Sequence, residues 1–184
     1  MAVEASGGLR IRPGTAEDAP AIGSIDHEST IFTYTGIMPE ATLADSSVES
    51  ATERWAQAIA NRDPEAPSRL WLAERAGEVV GYATTSPATD RWLDPPEGAG
   101  ELTNLYLAPA VIGSGVGSAL YDHAINDLIV RGFDPIVIWA FRDNDRGRGF
   151  YERHGLTVDA ETDWVLSDIP CPIVRYRLDV LMPT

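Results

Sequence analysis

The sequence predicts a mixed α/β fold with a central mixed sheet of about seven strands flanked by about four helices. Three observations carry this. Short runs with strand-like alternation are interleaved with longer runs whose apolar residues recur at helical spacing. Two strand-like runs meet at the tight turn Ala76-Gly77, as in a hairpin. Over residues 101–131, a strand-like run passes through a glycine-rich turn straight into an amphipathic helix.

The elements follow in order. Leu9-Arg10-Ile11-Arg12 alternates as a strand does. Thr15 with Asp18 three residues later marks a helix start, and that helix carries Ala19, Ile22 and Ile25 on one face and is expected to end near Ser29. Val48, Ala51, Trp55, Ala58 and Ile59 place a second helix before Asp63-Pro64. Arg69 to Ala73 and Glu78 to Thr84 are the hairpin strands, and Arg91 to Gly100, with paired prolines, is a loop. A strand at 101–107, a helix at 116–131, a strand at 135–141 and a helix at 144–154 come next. Two late strands, near Leu156–Val165 and Ile173–Val180, complete the order β-α-α-β-β-β-α-β-α-β-β. The whole chain, residues 1–184, reads as one domain, with residues 1–8 expected to be flexible.

The turn at 111–118 is laid out to hold a phosphate. Gly113, Gly115 and Gly117 let the backbone curl with its N–H groups inward, and the following helix adds the positive end of its dipole. A P-loop is excluded, because Gly117 is followed by Ser118 and Ala119 where a lysine is needed. A dinucleotide fingerprint fits poorly, because the glycines run G-x-G-x-G in mid-chain. Further on, Asn144-Asp-Arg-Gly147-Arg-Gly-Phe150-Tyr151-Glu-Arg-His-Gly155-Leu156 has Asn144 as a good N-cap and Gly155 as a good C-cap.

These two segments, in this order and separated by a strand-like run, resemble the motifs of the Gcn5-related N-acetyltransferase (GNAT) family. Gly115 and Gly117 match the small positions of that family's acetyl-CoA loop, whereas Ile112 stands where it carries Gln or Arg. The element order resembles the GNAT fold over nearly the whole chain, and Tyr34-Thr-Gly-Ile-Met-Pro39 is similar to a segment that shapes the acceptor pocket in a bacterial subgroup.

The resemblance implies an N-acetyltransferase that moves acetyl from acetyl-CoA directly to a primary amine in a ternary complex. It assigns cofactor binding to Leu105, Tyr106 and Leu107 on the strand. In the loop and helix start the assigned positions are Val111, Ile112, Gly113 and Ser114, then Gly115, Val116, Gly117 and Ser118. Asn144 and Arg146 complete the cofactor set. His27 and Tyr34 are the expected substrate-binding residues, and no metal is expected.

The chemistry of the transfer sets further requirements. A lysine-like amine is protonated at neutral pH, so freeing its lone pair costs roughly 4–5 kcal/mol without help. Glu101, eleven positions before Ile112, matches the family's glutamate base, acting directly or through water; a carboxylate that is simply solvated or that binds the amine is the alternative. The resemblance also implies that the strand backbone around Asn104 to Leu107 supplies donors to the charge gathering on the carbonyl oxygen. Tyr151 matches the family's proton donor to the departing thiolate; packing beside Phe150 and His154 is the alternative.

Charge and composition bound the partners. The formal net charge is -14, which disfavours nucleic acid. Four arginines, Arg142, Arg146, Arg148 and Arg153, cluster beside the expected cofactor site. Asp26, Glu28 and Glu40 near the acceptor side, with Asp90, Asp94 and Glu97 in the loop, fit a cationic amine or basic peptide, or else form a generally acidic surface. The start of the chain has no cationic, apolar leader and no spanning run is visible, so a cytoplasmic protein without membrane contact is expected. Cys171 excludes an internal disulfide, and Trp139 and Trp164 read as core or interface aromatics. A homodimer through the late strands is plausible by resemblance. The competing classes are a non-catalytic acyl-CoA sensor on the same fold and a nucleotide-binding enzyme of another fold.

Overall fold

The computed structural model describes residues 4–5, 8–61 and 67–180. Its sheet has eight strands in the order β1-β2-β3-β4-β5-β6-β8-β7, with β1 Glu4–Ala5, β2 Leu9–Pro13, β3 Arg69–Arg75, β4 Glu78–Pro87, β5 Gly100–Leu107, β6 Ile136–Phe141, β7 Thr157–Leu166 and β8 Ile169–Leu178. Five α-helices join them: α1 Ala19–Tyr34, α2 Glu40–Ala44, α3 Val48–Ala60, α4 Val116–Val130 and α5 Asp145–Arg153. All neighbouring strands are antiparallel except β5 and β6.

Strand alternation sorts the core into two faces. On one face Ala73, Ala83 and Leu102 pack against Leu120, Ala124 and Leu128 of α4. On the other, Leu70, Leu72 and Tyr82 pack against Ile22 and Ile25 of α1, with Trp55 and Ile59 of α3 outside them. An acidic hub ties this second layer together. Asp26 accepts from the Tyr82 hydroxyl at 2.9 Å and from Trp55 Nε1 at 3.1 Å, and it pairs with Arg54. Asp26 is therefore spent inside the fold and does not steer a substrate.

The structure departs from the sequence reading in four places. Helix α1 runs to Tyr34 rather than Ser29, because Ser29 sends its hydroxyl to the Leu107 carbonyl at 2.7 Å and leaves its own helix intact. The helix stops where Gly36 takes φ +83. Helix α2 has five residues, too few to show a period. Strand β8 begins at Ile169, not Ile173, so Pro170 and Pro172 lie within a strand. They are tolerated because the β6 ladder begins only at Ile173, opposite Phe141, leaving that edge of β8 beyond the end of β6. Of the eight N-terminal residues expected to be flexible, Glu4 and Ala5 pair with Arg10 and Leu9. Residues 1–3 and 6–7 lie outside the described residues, as does Asp63-Pro64.

Near the chain start, Asp18 accepts a bidentate pair from Arg12 at 2.7 and 2.9 Å and the Thr15 backbone N–H at 2.8 Å, while Arg12 also reaches Glu74 on β3 at 2.8 Å. The guanidinium and these N–H donors outweigh burial and hold the Asp18 carboxyl down to about 2. Among the described residues no helix is long and apolar enough to cross a membrane.

Two outcomes follow from this packing. A folded-state pKa below the unfolded value adds stability that is complete above about pH 4 and is lost as pH falls toward 2. Acid unfolding followed by circular dichroism is thus expected to lose stability across that window, and Asp18→Asn to flatten the loss. At the α1–α3 crossing, a Cβ on Gly23 would lie 2.7 Å from the Thr52 Cα, and backbone cannot yield as a side chain does. Gly23→Ala is expected to cost about 1–3 kcal/mol in denaturant titration.

Candidate active site

The site begins where two strands part. β5 and β6 pair only at Gly100 with Ile136 and at Glu101 with Val137, and diverge beyond. On the opposite edge of β5, Thr84 faces Asn104 but Thr85 faces Leu102, so Thr103 is an extra residue. Such a bulge bends and twists its strand. It is held by Thr103 Oγ1 donating to the Thr84 carbonyl at 3.1 Å and Asn104 Nδ2 donating to Thr84 Oγ1 at 2.7 Å.

Ladder alternation decides which backbone groups face the gap. The Ala108 N–H donates to the Val80 carbonyl at 2.9 Å, so Tyr106 and Asn104, in step with Ala108, turn their backbone groups to β4. Leu105 and Leu107 turn theirs toward the gap. The Leu107 carbonyl is taken by Ser29; the two N–H groups are donors placed to receive an oxygen.

Two cavities occupy the gap, of about 590 and 540 Å³. They share Tyr34 and Tyr106, whose hydroxyls lie 3.1 Å apart. Of the residues singled out in the sequence, Leu105, Leu107, Ile112, Gly113, Gly115 and Gly117 line the first, and so do Ser118, Asn144, Arg146 and Tyr151. Val111, Ser114 and Val116 do not line it. Val116 is fully buried in the α4 core, Val111 packs against that core, and the Ser114 hydroxyl donates to the Val111 carbonyl at 2.7 Å.

The loop suits an anion. Gly113 and Gly115 adopt φ of +81 and +86, and a Cβ on either would meet nothing within 4 Å, so backbone conformation rather than crowding calls for glycine. Gly115 is the N-cap of α4 and supplies no capping side chain. The first-turn N–H groups, Val116 to Ser118, therefore point out of the helix without intrahelical acceptors. Arg146 and Arg153 line the same cavity, and Arg146 sits over the Phe32 ring at 4.9 Å. The other two arginines of the cluster are engaged elsewhere. Arg142 pairs with Asp143 and Glu161, while Arg148 donates to the Tyr176 hydroxyl and pairs with Glu152. Phosphate groups thus fit the loop, and an apolar arm fits the strip formed by Leu105, Leu107 and Phe150.

Asn144 caps α5, its Oδ1 accepting the Gly147 N–H at 3.0 Å, and it faces the cavity as well. Tyr151 packs against Phe150 and Tyr176, each with ring centroids 5.6 Å away. Burial, reinforced by Tyr34, Tyr121 and Tyr176, pushes its phenol pKa up, so Tyr151 carries its proton at neutral pH.

Glu101 lies at the fork itself, 2% exposed, and lines neither cavity. Its Oε1 accepts from Arg91 Nη2 at 2.7 Å. Burial pushes the carboxyl pKa up, opposed by Arg91 and by the Thr89 backbone N–H. His27, expected at the acceptor, has its Nδ1 3.0 Å from Ser46 Oγ and lines neither cavity.

The second cavity was largely missed in the sequence. Trp139 and Trp164, read in the sequence as core or interface aromatics, form its wall with Trp92. Ring centroids lie 5.4 Å apart for Trp92–Trp139 and 5.3 Å for Trp92–Trp164, and Phe141 stacks on Trp164 at 5.6 Å. Arg91 lies 4.3 Å over Trp92. The loop bearing both is also pinned by Arg175, which donates to Asp159 Oδ1 at 2.8 Å and to the Asp94 carbonyl at 3.0 Å.

Comparison with known proteins adds to this geometry. The model of the acetyltransferase (GNAT) family matches residues 34–156. A mycothiol acetyltransferase of Beutenbergia cavernae is 36% identical over 92 residues, which is 50% of this chain but 29% of that protein. The chain thus spans under a third of that relative's length. A protein of Mycobacterium tuberculosis named as a probable N-acetyltransferase, Rv2775, is 24% identical over 92% of this chain and 93% of its own. The structure of YncA from Salmonella typhimurium with its cofactor acetyl-CoA superposes with a TM-score of 0.70 at 21% identity, covering 94% of each chain.

The loop geometry can be tested directly. Gly115→Ala places a Cβ at a left-handed position, a strain of roughly 1–2 kcal/mol. The variant is expected to bind acetyl-CoA about tenfold more weakly by calorimetry, equivalent to about 1.4 kcal/mol. Its thermal melt should still be cooperative.

Proposed function

This chain belongs to the acetyltransferase (GNAT) family, and we propose that it carries an acetyl group from acetyl-CoA directly to a primary amine, with both substrates bound together and no acyl-enzyme. We take residues 1–184 as one such domain. The observation that carries the reading is the meeting of two cavities at Tyr34 and Tyr106, with a phosphate-suited loop on one side and an aromatic chamber on the other.

Acetyl-CoA supplies a thioester carbon open to attack. The amides of the loop and of the first turn of α4 hold the diphosphate, supported by Arg146 and Arg153. Asn144 and the gap-facing edge of β5 hold the pantetheine arm, and the N–H groups of Leu105 and Leu107 receive the carbonyl oxygen as negative charge gathers there. The amine nitrogen forms its bond to the carbonyl carbon while the C–S bond breaks. Tyr151 gives its proton to the departing sulfur. It regains one from solvent after release.

The proton lost by the amine goes to water. Glu101 is reached through that water rather than by contact, since it is buried and lines neither cavity. Its raised pKa makes it a better proton sink than an exposed carboxylate, and its second service is to hold Arg91 at the acceptor chamber.

Thiol release from acetyl-CoA in the presence of an amine panel tests the reading. Tyr151→Phe is expected to lower kcat by about 10²-fold, with KM for acetyl-CoA changed less than about threefold. An unchanged kcat in a folded variant removes Tyr151 as the proton donor. Absence of any thiol release, with acetyl-CoA still bound, favours a sensor over a transferase.

A further inference from the structure

The second cavity is selective by construction. Its walls are Trp92, Trp139, Trp164 and Phe141, with Tyr34 and Tyr106 closing the end that meets the donor cavity. Among the described residues Arg91 is the one charged side chain that lines it, and no carboxylate does. The loop acids Asp90, Asp94 and Glu97 are exposed and lie outside the lining. A polyamine or other polycation entering here would bring its second charge toward an arginine with no acid in the lining to offset it.

Arg91 is held for a different task. Stacking on Trp92 and one hydrogen bond from Nη2 to Glu101 fix the plane of the guanidinium. Nε and Nη1 have no acceptor among the described residues, and the side chain is 48% exposed. Nη2 keeps its second hydrogen, so one planar edge that pairs it with Nε or with Nη1 stays open beside aromatic walls and matches a carboxylate carried near an apolar or aromatic group.

We propose that the acceptor is a free amino acid with an aromatic or large apolar side chain. Its ring rests among the three tryptophans, its carboxylate docks on Arg91, and its amine is left facing the Tyr34–Tyr106 junction. The groups recognised are thus the apolar side chain and the α-carboxylate, and Arg91 decides specificity. This inference rests on the transfer reading above. Arg91 touches the substrate; toward this docking Glu101, besides taking the proton through water, acts by positioning Arg91.

The experiment compares acceptors that differ by the acid group alone, using the whole chain, acetyl-CoA and thiol release. Phenylalanine and tryptophan are set against phenethylamine, tryptamine, tryptophanamide and spermidine. The amino acids are expected to show kcat/KM about 10- to 100-fold above their decarboxylated amines and the amide, the range of a hydrogen-bonded charge. In Arg91→Gln that gap is expected to shrink below about threefold, mainly through KM. Should Arg91→Gln fail to fold because Glu101 loses its cation, the double variant Arg91→Gln/Glu101→Gln takes its place, read only as the ratio between acid and amide acceptors, because loss of Glu101 lowers kcat for both alike. The wild-type comparison decides the matter by itself in any case.

Equal or better turnover of tryptamine, tryptophanamide or spermidine overturns the proposal while leaving the transferase standing. So does turnover of any of the other amines with none of either amino acid. Tryptophanamide matching tryptophan would point instead to the N-terminus of a peptide. Failure to bind acetyl-CoA at all would remove the transfer reading itself, and the acceptor assignment with it.

Discussion

Everything functional in this chain depends on β5 and β6 staying apart. A parallel pair that zipped along its length would close both cavities and satisfy the gap-facing edge of β5 with another strand. Pairing instead ends at Glu101 and Val137. The extra residue Thr103 bends β5 from its far edge, Ser29 takes the Leu107 carbonyl, and Tyr34 and Tyr106 fill the opening between them. An open edge inside a sheet is costly unless its polar groups find partners. Here the Leu107 carbonyl finds an internal partner in Ser29, and the Leu105 and Leu107 N–H groups face the gap.

The same economy appears in the charges. The chain is strongly acidic, yet the two cavities are lined by arginines: Arg146 and Arg153 on one side, Arg91 on the other. The acids closest to the site are neutralised within the fold. Asp26 serves Tyr82, Trp55 and Arg54, and Glu101 serves Arg91. Net charge therefore describes the outer surface and not the lining of the two cavities.

Much of the donor side was legible in the sequence because it is local. The glycines at 113 and 115, the helix that follows them, and Asn144 three residues before Gly147 each act through near neighbours, so a pattern of residue types suffices to find them. The acceptor side was not legible. Trp92, Trp139 and Trp164 come from a loop and two strands, and the loop path that brings Arg91 onto Glu101 follows no period. Strand β8 was cut short for a related reason. Two prolines argue against a strand when neighbours are unknown, and only the point where β6 ends makes them harmless. Tyr34 was singled out in the sequence, but its place in both cavities needed the extra turn of α1 beyond Ser29.

Arg175 deserves a last consequence. It is 8% exposed and, from the middle of β8, grips Asp159 on β7 and the Asp94 carbonyl in the loop that presents Trp92. With Arg91 anchored on Glu101, that loop is fastened at both ends of its aromatic segment before any ligand arrives. A loop of this kind loses little entropy when it closes on a guest, so affinity in the chamber is spent on recognition and not on ordering the wall. The chamber is in this respect closer to a mould than to a hand.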